Sequence, residues 1–174
     1  MTTVYLIRHA NAYDIMGFQE PDTPLRGQGP AQAKILAQRL KLLPIDVVYT
    51  SPYERSHETA TVYVKLAKKA INIDPRLKEI GTAEWTAKDF SREKDRIEDV
   101  LLSIVAKNRG KTIAIFAHGN LIKTLLCKIV DASLNVYNNK LFIGLASITT
   151  IYVQDTGLMQ IVSVSDTAHG TALC

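Results

Sequence analysis

Cysteine is scarce: Cys127 and Cys174 are the only two in 174 residues. One pair cannot build the disulfide framework that staples small secreted domains, so a reducing cytoplasm is the expected setting. No apolar run approaches the roughly 20 residues of a membrane span, and no membrane partner is expected. The chain opens on the strand-like run Val4-Tyr5-Leu6-Ile7. It lacks the basic stretch, apolar core and small-residue cleavage site of a leader peptide. The formal net charge is +4. That excess suits anionic partners in general. There is no arginine-rich tail, zinc-finger spacing or aromatic-studded basic strand, so nucleic acid is not an expected partner. Lys65, Lys68 and Lys69 form the only tight basic group and read as a solvated helix face.

Several chemical motifs are missing too. Gly27-Gln28-Gly29 is followed by Gln32 where a dinucleotide fingerprint needs its third glycine. No phosphate-cradling P-loop and no Gly-x-Ser-x-Gly elbow occur. The four histidines, His9, His57, His118 and His169, lack the i, i+4 spacing of a zinc helix, so no metal and no cofactor is expected.

What is present reads as one ordinary globular domain over residues 1–174, with 47% hydrophobic and 22% charged residues. Residues 3–7 form a short β-branched strand ended by charge. Residues 10–26, with Gly17, Pro21 and Pro24, form a loop. Helical spacing covers 28–42 and 54–69, with a strand at 46–50 between them and a short one at 71–73. Residues 75–90 read as irregular and 91–107 as a third helix. A strand at 112–117, a helix at 119–130, and strands at 146–153 and 159–164 joined by Asp155-Thr156-Gly157 complete the order. Alternation of strands and helices predicts an α/β fold, a three-layer α/β/α sandwich. Its sheet is mostly parallel, with an antiparallel edge strand from the last hairpin.

In such sheets ligands bind beyond the carboxyl ends of the strands. The first strand ends in Arg8-His9, the second in Ser51-Pro52 with Arg55 just after, and the third long strand in His118-Gly119-Asn120. Singly, each residue has a plain structural explanation. Arg55 can pair with Glu54 and Glu58, Asn120 can cap a helix, and His118-Gly119 can be a turn. Jointly they gather two histidines and two arginines at one sheet edge. Guanidinium groups match phosphate oxygens, helix N-termini after Ser51 and His118 offer backbone donors, and a neutral imidazole is a competent nucleophile toward phosphorus. A second, cationic histidine would stabilise equatorial oxygens. A leaving alkoxide needs a proton, and Glu79 and Glu84 are the candidate acids. His57 reads as a helix-surface residue and His169 as structural or at the rim.

These residues sit in a longer pattern. Leu6-Ile7-Arg8-His9-Ala10 resembles the signature of the histidine phosphatase superfamily, the phosphoglycerate mutase-like fold. Asp22-Thr23-Pro24-Leu25 with Gly29 and Gln32-Ala33 is similar to its next segment. Tyr49-Thr50-Ser51-Pro52 with Arg55 and Thr59-Ala60, then Leu77, Glu79, Glu84 and Trp85, resemble further segments. So do Phe116-Ala117-His118-Gly119 with Ile122 and Leu125-Leu126, and the stretch from Ser147 to Tyr152. The resemblance implies that His9 is the phosphorylated nucleophile and that Arg8, Arg55 and His118 complete the phosphate pocket. It implies Glu79 as proton donor, with Asn11, Gly119 and Asn120 among the substrate contacts and no metal. Departures are Ala10 for the signature glycine, Asn11, Ala12, Ile15 and Arg26 in the loop, and Ala83 and Ala87 beside Glu84-Trp85. The expected activity is a phosphatase of small phosphomonoesters. A protein phosphohistidine phosphatase, a phosphoglycerate mutase and a non-catalytic phosphate-binding scaffold stand as alternatives. Its partner would be a small phosphorylated metabolite or a phosphoprotein.

Overall fold

The computed structural model describes residues 1–13, 19–81 and 85–173. Ile15, Ala83, Glu84 and Cys174 lie outside the described residues. Along the chain run β1 (Thr2–Arg8), α1 (Gly29–Lys41), β2 (Val47–Thr50), α2 (Glu54–Ala67) and β3 (Asn72–Ile73). After them come α3 (Ala87–Lys107), β4 (Thr112–Ala117), α4 (Gly119–Ile129), α5 (Leu134–Lys140), β5 (Ile148–Val153) and β6 (Met159–Asp166). The six strands form one sheet in the order β3-β2-β4-β1-β5-β6. β1, β2, β3 and β4 pair in parallel. β5 is antiparallel to both of its neighbours and lies one place in from the edge, which β6 occupies.

Strand alternation sorts the core into two layers, because successive side chains leave opposite faces of a sheet. Val4 and Leu6 of β1 join Ile113, Ile115 and Ala117 of β4 beneath α3 and α4. Ile7 joins Ala114 and Phe116 beneath α1 and α2, where Leu36, Leu40, Ala60 and Tyr63 pack. Each large apolar side chain buried here contributes about 1.5–3 kcal/mol. The two faces are why the central strands read as near-continuous apolar runs.

Two helical features differ from expectation. α3 starts at Ala87, four residues before the apolar periodicity suggests. The cause is a capping box: the Thr86 side chain accepts from the Asp89 backbone, and Asp89 accepts from the Thr86 backbone N–H. α5, with Tyr137 as its buried residue, is not signalled by periodicity, since seven residues containing two adjacent asparagines carry too little pattern. It is held by packing: Tyr137 sits with Phe90 and Cys127 in a third cluster that Trp85 covers. Cys127 is buried in α4, as its apolar surroundings predict. Among the described residues no helix is long and apolar enough to cross a membrane.

Candidate active site

The strand order places the carboxyl ends of β2, β4 and β1 side by side, where the chain passes from β1 over β4 to β2. Crevices form at such reversals of strand order. His9 follows β1, and its backbone N–H continues the ladder to Ala117 O at 3.0 Å. Ser51 does the same after β2, donating to Phe116 O at 3.0 Å. The fold therefore delivers Arg8, His9, Ser51 and His118 to one edge, and the first turn of α2 adds Arg55.

His9 is only 1% exposed. Its Nδ1 lies 2.8 Å from Ala10 O. A carbonyl only accepts, so Nδ1 carries the proton and Nε2 holds the lone pair. Arg55 Nε donates to that Nε2 at 3.3 Å. Burial pushes the His9 pKa down to about 3, with Arg8 and Arg55 adding to the shift and the Ala10 hydrogen bond opposing it. His9 is thus a neutral imidazole with a defined tautomer, the form a nucleophile needs.

This shift carries a stability consequence. The folded pKa lies below the usual 6.5, so His9 contributes stability that is complete above pH 6.5 and lost as pH falls toward about 3. The melting temperature is expected to drop over that window, and to drop less steeply in His9→Asn, which cannot take up the proton. Equal slopes in thermal melts of the two proteins would assign the acid sensitivity to other groups.

His118 is fully buried and its ring centroid lies 5.3 Å from that of His9. Its Nε2 is 2.8 Å from Ser51 Oγ, and Ser51 Oγ also accepts from Tyr53 N at 3.2 Å. Ser51 Oγ can donate to Nε2 or accept from it, and Nδ1 is a buried atom with no partner among the described residues. Burial, then His9, Arg55 and Arg8, hold the His118 pKa well below its ordinary value. The second histidine is therefore neutral here, not cationic as expected from sequence. It offers an N–H donor without a formal charge.

Arg8 leaves β1 on the α4 side, Nη2 donating to Tyr13 Oη at 2.9 Å and Nη1 to Ile143 O. Among the described residues its buried Nε has no hydrogen-bond partner. The guanidinium passes over Gly119: a Cβ there would stand 3.1 Å from Arg8 Nε. Glycine at the start of α4 is what lets Arg8 lie so close to the helix. Arg55 is 3% exposed, donates to Glu20 O at 2.9 Å, and sits 5.0 Å from the Tyr53 ring centroid. Neither arginine has an ion pair with a described carboxylate. Burying guanidinium groups without an ion-pair partner is costly, and an anion between them would offset that cost.

Glu79 lies at the N-terminus of α4. Its Oε1 accepts from Ile80 N at 2.9 Å and Leu121 N at 3.2 Å, and its Oε2 from Asn120 N at 3.3 Å. Burial raises its pKa against the opposing pull of these N–H groups and of Arg55. Oε2, with one long hydrogen bond, is the better seat for a proton. Two backbone donors expected to face phosphate are thereby engaged by Glu79, and Glu54 N at the start of α2 donates to Pro21 O.

Asn120 donates from its side chain to Ile80 O at 3.2 Å, which fastens the Glu79 segment to α4. Asn11 gives its side-chain amide to Arg26 O and accepts from Tyr13 N, so its side chain is engaged in the loop. Ala10 is fully buried and is not among the residues with positive φ. A methyl group in place of the signature glycine is thus accommodated without backbone strain. Thr59 Oγ1 accepts from Ala10 N and donates to Arg55 O, tying the loop after His9 to α2. His57 lies half-buried on α2. His169 donates to the carbonyl of Ala146, whose own N–H donates to His9 O, a structural role behind the site. Tyr13 is a residue of this edge that sequence reading missed, and Ser51 is one that it placed there without a side-chain role. Ser51 was legible as the residue ending β2 in line with His9 and His118. Tyr13 carried no signal, because only loop folding brings it to Arg8. Among the described residues no group of three or more His, Cys, Asp or Glu is placed to hold a metal ion.

A sheet of this order, with Arg8 and His9 at the end of β1, His118 at the end of β4 and Arg55 in the helix after β2, defines a class of proteins. The sequence model of the histidine phosphatase superfamily (branch 1) matches residues 4–95 and 89–167. The chain belongs to that superfamily, a family of phosphatase-type enzymes. It is 23% identical to a Hydrogenobacter thermophilus protein provisionally named phosphoserine phosphatase 2, over 92% of this chain and 89% of that one. It is also 36% identical to the provisionally named phosphoglycerate mutase GpmB of Photorhabdus laumondii. That match covers 46% of this chain and 39% of GpmB. Among solved structures it resembles a mutant phosphoserine phosphatase from Entamoeba histolytica in complex with phosphoserine. The TM-score is 0.84 at 25% identity, covering 98% of this chain and 100% of that chain.

Proposed function

We propose that the protein hydrolyses a phosphomonoester through a covalent phosphohistidine on His9, without a metal. The observation that carries this reading is the His9 tautomer: Nδ1–H is held by Ala10 O, leaving the Nε2 lone pair beside Arg55 and His118. The phosphoryl group sits between Arg8 Nε, Arg55 and His118 Nδ1, three donors with nothing else to satisfy Arg8 Nε or His118 Nδ1. His9 Nε2 attacks phosphorus, forming N–P as the P–O bond to the leaving group breaks. Glu79 gives its proton to the leaving alkoxide. Water then attacks the phosphohistidine, Glu79 takes the water's proton, N–P breaks, and neutral His9 returns with inorganic phosphate. The hydrogen bond to Ala10 O stabilises the imidazolium-like ring while it carries the phosphoryl group. Similarity to phosphoserine phosphatases favours a small phosphorylated metabolite as substrate. A mutase would use the same phosphohistidine and return the phosphoryl group to a second alcohol.

The direct test is acid-sensitive trapping. Wild-type protein quenched in base after mixing with labelled substrate should retain label that is released by acid, as a phosphoramidate is, and His9→Ala should retain none. Label that resists acid, or label on the variant, would overturn the assignment. Label transferred to an added alcohol in preference to water would favour the mutase. Retained phosphate binding without turnover would favour the scaffold.

Glu79 is tested by leaving-group dependence. Glu79→Gln keeps the shape and removes the proton, so the single-turnover rate of phosphohistidine formation should fall about 10²–10⁴-fold on alkyl phosphates and little on nitrophenyl phosphate. Equal losses on both would exclude the proton-donor role. Because burial raises the Glu79 pKa, alkyl phosphate turnover should also decline as pH rises through that pKa, a limb absent from the variant.

A further inference from the structure

Lys123 is placed as though to meet a second negative charge. It lies four residues after Gly119, over which Arg8 passes, and three after Asn120, whose N–H reaches Glu79. Residues so spaced share one face of a helix, and four residues rise about 6 Å. Lys123 therefore stands one turn behind the Arg8–Glu79 edge. Its Nζ lies 4.1 Å from the ring centroid of Tyr137. That ring is fixed by Trp85 and Phe90, at 5.6 and 5.2 Å between centroids. The side chain is half-buried against this aromatic wall and makes no ion pair with a described carboxylate, with Glu79 the carboxylate that favours its charged form. The contrast with its neighbours is direct. Lys128 pairs with Asp95 at 2.7 Å and Glu98 at 3.1 Å, and Lys94 with Asp131 at 3.5 Å. Burial, with Arg8 nearby, lowers the Lys123 pKa, which an incoming anion would reverse.

We infer that Lys123 is a specificity residue that binds a carboxylate on the organic part of the substrate while the phosphoryl group occupies the His9 pocket. A partly desolvated ammonium held over an aromatic ring gains more from an anion than a solvated one does. A carboxylate one helical turn from the phosphate fits a short phosphorylated amino or hydroxy acid. The inference rests on the phosphatase reading of the site.

The test compares O-phosphoserine with O-phosphoethanolamine, which differ by the carboxylate. Wild-type protein should prefer O-phosphoserine, mostly through KM. In Lys123→Met, which keeps the apolar stem, the ratio of kcat/KM values should fall about 10-fold or more. Lys123→Arg should restore most of it. A ratio that Lys123→Met does not change, or no wild-type preference, overturns the inference. If neither compound is turned over while nitrophenyl phosphate is, calorimetric binding of both to His9→Ala and to His9→Ala/Lys123→Met reads the same ratio without chemistry. If nitrophenyl phosphate is not hydrolysed either, the phosphatase reading fails, and the binding ratio still decides the role of Lys123.

Discussion

His9→Ala is expected to lose activity on nitrophenyl phosphate by on the order of 10⁴-fold or more, since the nucleophile itself is removed. Nothing else described at the site can replace it. His118 Nε2 is held 2.8 Å from Ser51 Oγ, and the proposed mechanism uses the other side of its ring to bind the phosphoryl group. The arginines are donors only. The variant should still fold, because the loss of one buried ring from a fully formed sheet costs at most a few kcal/mol. It should also still bind phosphate, as Arg8, Arg55 and His118 remain. A far-UV spectrum identical to wild type, measurable phosphate binding and absent turnover would together locate the defect in the chemical step. Residual activity within about 10-fold of wild type would mean that another group attacks phosphorus. Wild-type activity should persist with excess chelator, since the charge stabilisation in the proposed mechanism comes from side chains.

The largest structural effect is expected at Gly29. A Cβ there would stand 2.0 Å from the Asn11 carbonyl oxygen and 3.3 Å from Asn11 N. Both are backbone atoms in a loop closed from several directions. Arg26 N donates to Asn11 O, and Asn11 N donates to Gln32 Oε1. Such a clash cannot be relieved by rotating a side chain, so either α1 or the segment after His9 must move. Gly29→Ala should destabilise the protein by about 3 kcal/mol, the upper part of the overpacking range. That corresponds to a fall of about 6–12 °C in melting temperature for a domain of this size. Because Asn11 is two residues from His9, kcat/KM should fall as well. A variant with unchanged melting temperature would mean that the loop yields more readily than its hydrogen bonds imply. Stability loss with intact activity would separate the Asn11–Gly29 contact from His9 positioning.

Much was legible in the residue order. The β-branched run of 112–117 coincides with β4, and α1, α2 and α4 fall within two residues of their periodicity, because strands buried on both faces and amphipathic helices write their pattern locally. Placing Arg8-His9, Ser51, Arg55 and His118 at strand ends sufficed to bring them to one edge, since a parallel sheet puts those ends together. The miss at α3 was a cap: Thr86 and Asp89 start the helix before its first apolar residue. The miss at α5 was tertiary, a short segment stabilised by the aromatic packing of Tyr137.

The sequence by itself determined the fold class through periodicity, the family through its motifs, and the candidate side chains through the residue types at strand ends. Only the tertiary structure decided their states. Which nitrogen of His9 bears the lone pair depends on Ala10 O, how the His118 ring is held depends on Ser51, and how strongly both stay neutral depends on burial. Asn11 braces its loop through Arg26 O and Tyr13 N, and Ala10, a departure from the signature glycine, packs in the core. Protonation, tautomer and engagement are set by the distance and desolvation of groups far apart in the chain, and no local pattern encodes them.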